Sequence, residues 1–272
     1  MLRIILTGLF IYVLQAAYAI DPAKEYILTP DSIGWNYTSF NIKSGQFQIA
    51  NWVYKPNTHT DKKTVLILAL PDAGNQSYFV YHAATLANAG YTVITFDYRG
   101  FGRSSDFEID RNQLYYTEFS EDLMAVVAVV AKEFKGKQIG IFGMSMGTTI
   151  TNRIIHKLQK KVDFYIADGL VVDTDVIVSR WNQNNQKLTL PESSKSYTRA
   201  LAKLALPVMI FCASTDVITT CDDISQLRSM HAHASVQAYE GDHLTVFQSG
   251  DGEFGQFVIS YIDELVSRLV GH

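Results

Sequence analysis

The chain has 272 residues, 47% of them hydrophobic and 18% charged, which is length enough for a sizeable core and slightly less charge than the roughly 25% of an average globular protein. A net charge of −4 excludes a polybasic binder of nucleic acid or lipid surfaces, and 17 Gly with 6 Pro exclude collagen-like and low-complexity chains. Two Cys cannot make a four-ligand zinc site, so neither a metal nor a cofactor is expected.

In chain order, Arg3 precedes an apolar run from Ile4 to Leu14, and the run ends in Ala16-Ala17-Tyr18-Ala19. A charged start, a short apolar stretch and a small-x-small site predict a signal peptide over residues 1–19, cut after Ala19. The run falls short of the about 20 apolar residues of a spanning helix, and an uncleaved N-terminal anchor is the alternative. Residues 20–272 would then form one exported unit, periplasmic or secreted, with no stable membrane insertion.

Period-2 segments from Phe40 to Tyr54 flank Lys43-Ser44-Gly45 and predict a hairpin. Thr64–Leu70 is a continuous apolar run ended by Pro71, the pattern of a strand buried on both faces. A helical pattern over Ser77–Ala89 stops at Gly90, and a strand over Tyr91–Phe96 follows. Leu114–Phe134 is the strongest helix: Phe119, Leu123, Val126, Val127 and Val130 share a face, acidic residues open it and lysines close it. Then come a strand Gln138–Phe142, a helix Thr148–Lys161, strands Phe164–Val172, Pro207–Ala213 and Val236–Tyr239, and a closing amphipathic helix Phe254–Val270. This alternation predicts an α/β fold, a mostly parallel sheet covered by helices. Residues 173–206 are rich in Asn, Gln, Ser and Lys and read as a short polar cap insertion, too small for its own core.

Gly143-Met144-Ser145-Met146-Gly147 is a G-x-S-x-G motif between a predicted strand and a predicted helix. Glycines on both sides allow a sharp turn, and the helix N-terminus after it favours the negative charge of a tetrahedral intermediate. With this motif in that context, the chain resembles the α/β-hydrolase family over essentially its whole length after the leader. The serine aminopeptidase and monoacylglycerol-lipase-like branch is nearest. A second match is Asp97-Tyr98-Arg99-Gly100-Phe101-Gly102-Arg103-Ser104, which fits the family's D-x-R-G-x-G-x-S turn and is read as architectural, with Arg99 as its anchor.

The resemblance implies a catalytic triad in the order Ser, acid, His. Ser145 would be the nucleophile, Asp216 in the turn after strand Pro207–Ala213 the acid, and His243 in Glu240-Gly241-Asp242-His243 the base. Asp168 and Asp173 are reserve positions for the acid, and Asp242 adjoins His243 but points away on an extended loop. The oxyanion hole would use the Met146 N–H and, by matching the family's loop, the Ala73 N–H in Pro71-Asp72-Ala73-Gly74. A His-Gly pair is common in that loop, and Asp72 departs from it. His231 and His233 are expected at the surface, and no third ligand accompanies them.

Export implies an oxidising compartment, in which Cys212 and Cys221 would form a disulfide that brackets Asp216; two buried thiols are the alternative. The sequons at Asn36 and Asn75 are read as coincidental. The family's chemistry is acyl transfer to water, and the polar insertion disfavours an interfacial lipase. Glu192 is the one acid between Asp175 and Asp216, which disfavours binding of a substrate ammonium. The expected partner is a small ester or acyl substrate, and the expected enzyme a carboxylesterase. A thioesterase or lysophospholipase, an aminopeptidase, and a catalytically silent binding protein are the alternatives.

Overall fold

The predicted apolar runs pair side by side in the computed structural model, which describes residues 18–56, 59–183, 187–228, 231 and 234–270. The leader falls almost wholly outside the described residues, as does His233. Strands β1 (Asp21–Pro22), β2 (Tyr37–Ser44), β3 (Phe47–Tyr54), β4 (Thr64–Ala69) and β5 (Ala73–Gly74) are followed by β6 (Thr92–Phe96), β7 (Gln138–Met144), β8 (Phe164–Asp168), β9 (Val208–Ala213) and β10 (Ala234–Tyr239). Eight of them form one sheet in the order β10-β9-β8-β7-β4-β6-β3-β2, in which β3 pairs antiparallel with both neighbours and every other pairing is parallel. Every residue of β4, β6, β8 and β9 is buried, as a parallel sheet covered on both faces requires.

The covering helices are α1 (Val80–Asn88), α2 (Thr117–Glu133), α3 (Met146–Leu158), α6 (Cys221–Arg228) and α7 (Gln256–Val270). The cap insertion contributes α4 (Thr174–Asn182) and α5 (Ser194–Leu201). Among the described residues, no helix is long and apolar enough to cross a membrane.

Among the boundaries that differ from the sequence reading, three have a local reason. The strand expected to reach Val172 ends at Asp168, because Gly169 turns the chain at φ 65°. A Cβ on Gly169 would stand 2.7 Å from the His243 ring, so the turn also makes room for the imidazole. The helix expected from Thr148 begins directly after Ser145, at Met146. The helix expected from Leu114 begins at Thr117, because the Leu114 N–H bonds to the Thr189 carbonyl of the cap instead.

Candidate active site

Strand β7 ends at Met144 and α3 starts at Met146, so Ser145 is the whole turn, held at φ 49° and ψ −115°. A non-glycine residue rarely adopts that backbone, and it persists only where the surroundings enforce it. Enforcement is visible on both sides. The Ser145 N–H donates to the Asp168 carbonyl at 3.0 Å and its carbonyl accepts from the Thr148 N–H at 2.8 Å. A Cβ on Gly147 would lie 1.9 Å from the Ala69 carbonyl oxygen, so only glycine lets α3 pack this closely on β4.

Ser145, His243 and Asp216, 98 and 27 residues apart in pairs, converge in hydrogen-bonding range. His243 Nε2 stands 2.9 Å from Ser145 Oγ, and its Nδ1 stands 2.7 Å from Asp216 Oδ2. The Asp216 carboxylate also accepts from the Ile218 and Thr219 N–H groups at 2.7 and 3.0 Å and from the Thr219 hydroxyl at 2.7 Å. Burial alone would raise its pKa, but the hydrogen bond to His243 and those from Thr219 outweigh it and hold the carboxyl below its ordinary value. Burial would lower the pKa of His243, yet the bond to Asp216, with the nearby charges of Asp168 and Asp72, raises it above the ordinary 6.5.

The acid's rivals have other employment. Asp173 caps α4, its carboxylate accepting from the Asp175 N–H at 2.8 Å, and Asp242 accepts from the Thr215 hydroxyl. Asp168 is buried at the end of β8, where its carboxylate accepts from the Tyr239 hydroxyl at 3.1 Å and desolvation pushes its pKa up to about 7. Sequence reasoning assigned this group no task beside a filled acid position. Its pairing joins strands that are not neighbours in sequence, so no local motif announces it.

Cys212 and Cys221 form a disulfide with Cα atoms 5.4 Å apart, joining the end of β9 to the start of α6 around the Asp216 turn. From the cap, Arg180 donates to Asp223 of α6 at 2.6 and 2.9 Å and to the Ile218 carbonyl of the same turn at 2.6 Å.

The loop after β4 has a firmer footing than its sequence suggests. Its residues Ala73 and Gly74 pair in parallel with Asp21 and Pro22. The Asp21 and Ala23 N–H groups donate to the Asp72 and Gly74 carbonyls, and strand alternation therefore directs the Ala73 N–H away from β1. Asn75 is buried, donates to the Ala23 and Glu25 carbonyls at 3.0 and 2.8 Å, and accepts from the Ser77 N–H at 2.9 Å. So engaged, it is no glycan acceptor. Asp97, the first residue of the D-x-R-G-x-G-x-S turn, accepts from the Gln76 N–H at 2.8 Å and so anchors the far end of that loop. In the same turn Arg99 makes a buried ion pair with Asp122 of α2 at 2.7 Å, the structural part assigned to it.

A cavity of about 160 Å³ opens beside Ser145 and His243, with Asp72 and Met146 on its wall. Its apolar lining includes Ile177 and Trp181 from α4, so the cap, polar in composition, turns apolar side chains inward. Glu192 is bound by Arg153 at 2.9 Å and by the Tyr115 hydroxyl at 3.0 Å, and is already neutralised. His231 corrects the sequence reading: it is 9% exposed, in the short link where its N–H donates to the Leu227 carbonyl of α6 and its carbonyl accepts from the Ala234 N–H of β10, and is not a surface residue. Among the described residues, no group of three or more His, Cys, Asp or Glu could hold a metal.

Residues 73–189 match the family model described as serine aminopeptidase, S33. The fold superimposes on an esterase from Pyrococcus furiosus with a TM-score of 0.71 and 18% identity, covering 93% of this chain and 98% of that one. The chain has the fold of the α/β hydrolases. The chain is also similar to an α/β serine hydrolase without a lid from Xanthomonas campestris, with a TM-score of 0.57, 14% identity and coverage of 87% and 94%. A thioesterase domain from the curacin biosynthetic pathway superimposes with a TM-score of 0.59 at 15% identity, over 87% of this chain and all of that domain. At these identities the likenesses establish the fold. No curated protein sequence matches the chain significantly.

Proposed function

We propose that this hydrolase cleaves carboxylic esters of short or medium acyl chains through a covalent acyl-enzyme formed on Ser145. The observation that carries the reading is the continuous hydrogen-bonded line from Ser145 Oγ through His243 to Asp216, seated on a strained turn at the mouth of a closed-in cavity. A neutral imidazole takes the Ser145 proton as Oγ attacks the ester carbonyl. Asp216 holds the Nδ1 proton in place and stabilises the imidazolium. In this reading the tetrahedral oxygen gathers negative charge between the Met146 N–H, which opens α3, and the Ala73 N–H, which points away from β1. Collapse of that intermediate passes the proton from His243 to the leaving alcohol, and water repeats the sequence to release the acid.

A small cavity with apolar walls suits a short acyl group better than a long lipid tail. Engagement of Glu192 by Arg153 removes the cap carboxylate that could have held a substrate ammonium, which supports an ester over an N-terminal amide. The disulfide fits export to an oxidising compartment, periplasmic or extracellular, after cleavage of the leader. Hydrolysis of p-nitrophenyl esters from acetyl to dodecanoyl, alongside a thioester and aminoacyl amides, tests the assignment. Turnover highest for short esters and abolished in Ser145→Ala is expected. Preference for the thioester or the amide would move the substrate class, and no turnover of any of them would leave a binding protein on a hydrolase fold.

A further inference from the structure

The first described residues are built into the site. Ala19 is 5% exposed and Ile20 fully buried, and their N–H groups both donate to the Arg111 carbonyl, at 2.8 and 3.2 Å. Ala19 lines the same cavity as Ser145, His243 and Asp72. From Asp21 onward the chain pairs with the loop that carries Ala73. The bond marked for cutting by Ala17-Tyr18-Ala19 thus lies in the wall of the active-site cavity.

Asp72 faces that cavity, where its own backbone N–H and the nearby His243 are the groups that favour its charge. Among the described residues it is the one carboxylate on the cavity wall, and no other side chain donates a hydrogen bond to it. Left so, it is a liability: burial pushes its carboxyl above the ordinary value, and its negative charge beside the Ala73 N–H opposes the charge that develops on the oxyanion.

We infer that the mature N-terminus is part of the active site: once the Ala19–Ile20 bond is cut, the Ile20 α-ammonium stands at the cavity wall and pairs with the Asp72 carboxylate. Cutting adds one water across the amide, so that the Ala19 carboxylate departs with the leader and the Ile20 amine takes up a proton. α-Amines titrate near about 7.7–8.0, and the new terminus is mostly charged at neutral pH. Register brings Ile20 next to Asp72, since Asp21 lies opposite Ala73, and the ammonium has protons for the Asp72 carboxylate besides the one that keeps the Ile20 bond to the Arg111 carbonyl. The nearest competing carboxylate, Asp21, is already bound by the Arg111 guanidinium. The other charged group at this wall is His243. Because Ile20 is fully buried in the folded chain, the leader-processing peptidase must act before folding, as it does on chains in transit. Removal of Ala19 also widens the cavity.

This inference rests on the proposed serine-hydrolase reading and on cleavage at the predicted site, and its test separates the three. The full-length chain is exported from its own leader, purified, and its first residue read by intact mass. Its α-amine is then titrated with a limiting amine-acylating reagent near neutral pH, next to Asp72→Asn and to a chain processed to start at Ala19. We expect a mature chain that starts at Ile20, whose amine reacts at least about tenfold more slowly than that of Asp72→Asn, the effect of a pKa raised by one unit or more. Ester kcat/KM of the wild-type protein should fall at alkaline pH as the ammonium loses its proton, and this limb should be absent in Asp72→Asn. The chain that keeps Ala19 retains Asp72 and should lose at least about tenfold in kcat/KM, the rate equivalent of one unpaired neighbouring charge. A terminus elsewhere, an equally reactive amine in wild type and Asp72→Asn, or full activity with Ala19 retained would each overturn the inference. An amine dependence that instead follows α-amino substrates would assign Asp72 to the substrate and overturn it as well. Labelling of Ser145 by a fluorophosphonate reports on the hydrolase reading separately.

Discussion

The two sides of the Ser145–His243 bond are held in place by different means. On the Ser145 side, a strand, one strained residue and a helix follow each other without a loop, and Gly147 packs directly on the Ala69 carbonyl. On the other side, Asp216 and His243 sit on loops after β9 and β10, and their positions come from cross-links: the Cys212–Cys221 disulfide, Thr219 on Asp216, Arg180 on the acid turn, and Tyr239 on Asp168. The proposed nucleophile is placed by backbone packing. The proposed acid and base are placed by side-chain bonds, some local and some from the cap and β8, and these can be loosened without unfolding the sheet.

That contrast can be broken at several points. Asp216→Asn should lower kcat/KM by about 10⁴-fold while leaving the fold intact, because the imidazole loses the group that fixes its tautomer. Steady-state kinetics beside a thermal melt checks it, and a loss below tenfold would point to another acid, Asp168 first. Gly147→Ala acts on the rigid side and should cost stability and activity together. Overpacking against Ala69 is worth about 2–3 kcal/mol, read as a lowered denaturant midpoint. Cys221→Ser acts on the cross-linked side, where closing so short a loop contributes only about 2–3 kcal/mol to stability. Well below its melting temperature, this variant should still lose several-fold in kcat/KM, because the Asp216 turn is freed; full activity there would show that the clamp has no part in catalysis.

The smallest expected effect is on pH dependence. Turnover needs neutral His243, and its pKa is raised, so activity should fall as pH drops through a value above the ordinary 6.5. The Asp168 carboxylate contributes to that raise. Asp168→Asn removes its charge and should move the acid limb of kcat/KM to lower pH by about half a unit, a shift worth under 1 kcal/mol. An unmoved limb would confine Asp168 to holding Tyr239.

Legibility in the sequence followed the same division. The place of Ser145 was legible because its turn, glycines and flanking elements are contiguous, and those of Asp216 and His243 because each follows a strand that the sequence marks. What stayed hidden depends on partners far along the chain. A two-residue strand such as Asp21–Pro22 has no periodicity to read, so its pairing with the Ala73 loop was invisible. The inward face of α4 rests on Ile177 and Trp181 within a polar stretch, too sparse a pattern to separate from a solvated helix. His231, expected at the surface, is buried in the short link that its backbone bonds to Leu227 of α6 and Ala234 of β10 hold tight.

The central claim is that Ser145 is a nucleophile activated by His243 and Asp216. Its most direct measurement is the stoichiometry and pH dependence of fluorophosphonate addition, followed by intact mass and peptide mapping. One adduct per chain on Ser145, forming at a rate that rises as His243 loses its proton and collapses in His243→Ala, is the predicted result. Absence of an adduct, or an adduct on another residue that survives Ser145→Ala, would contradict it.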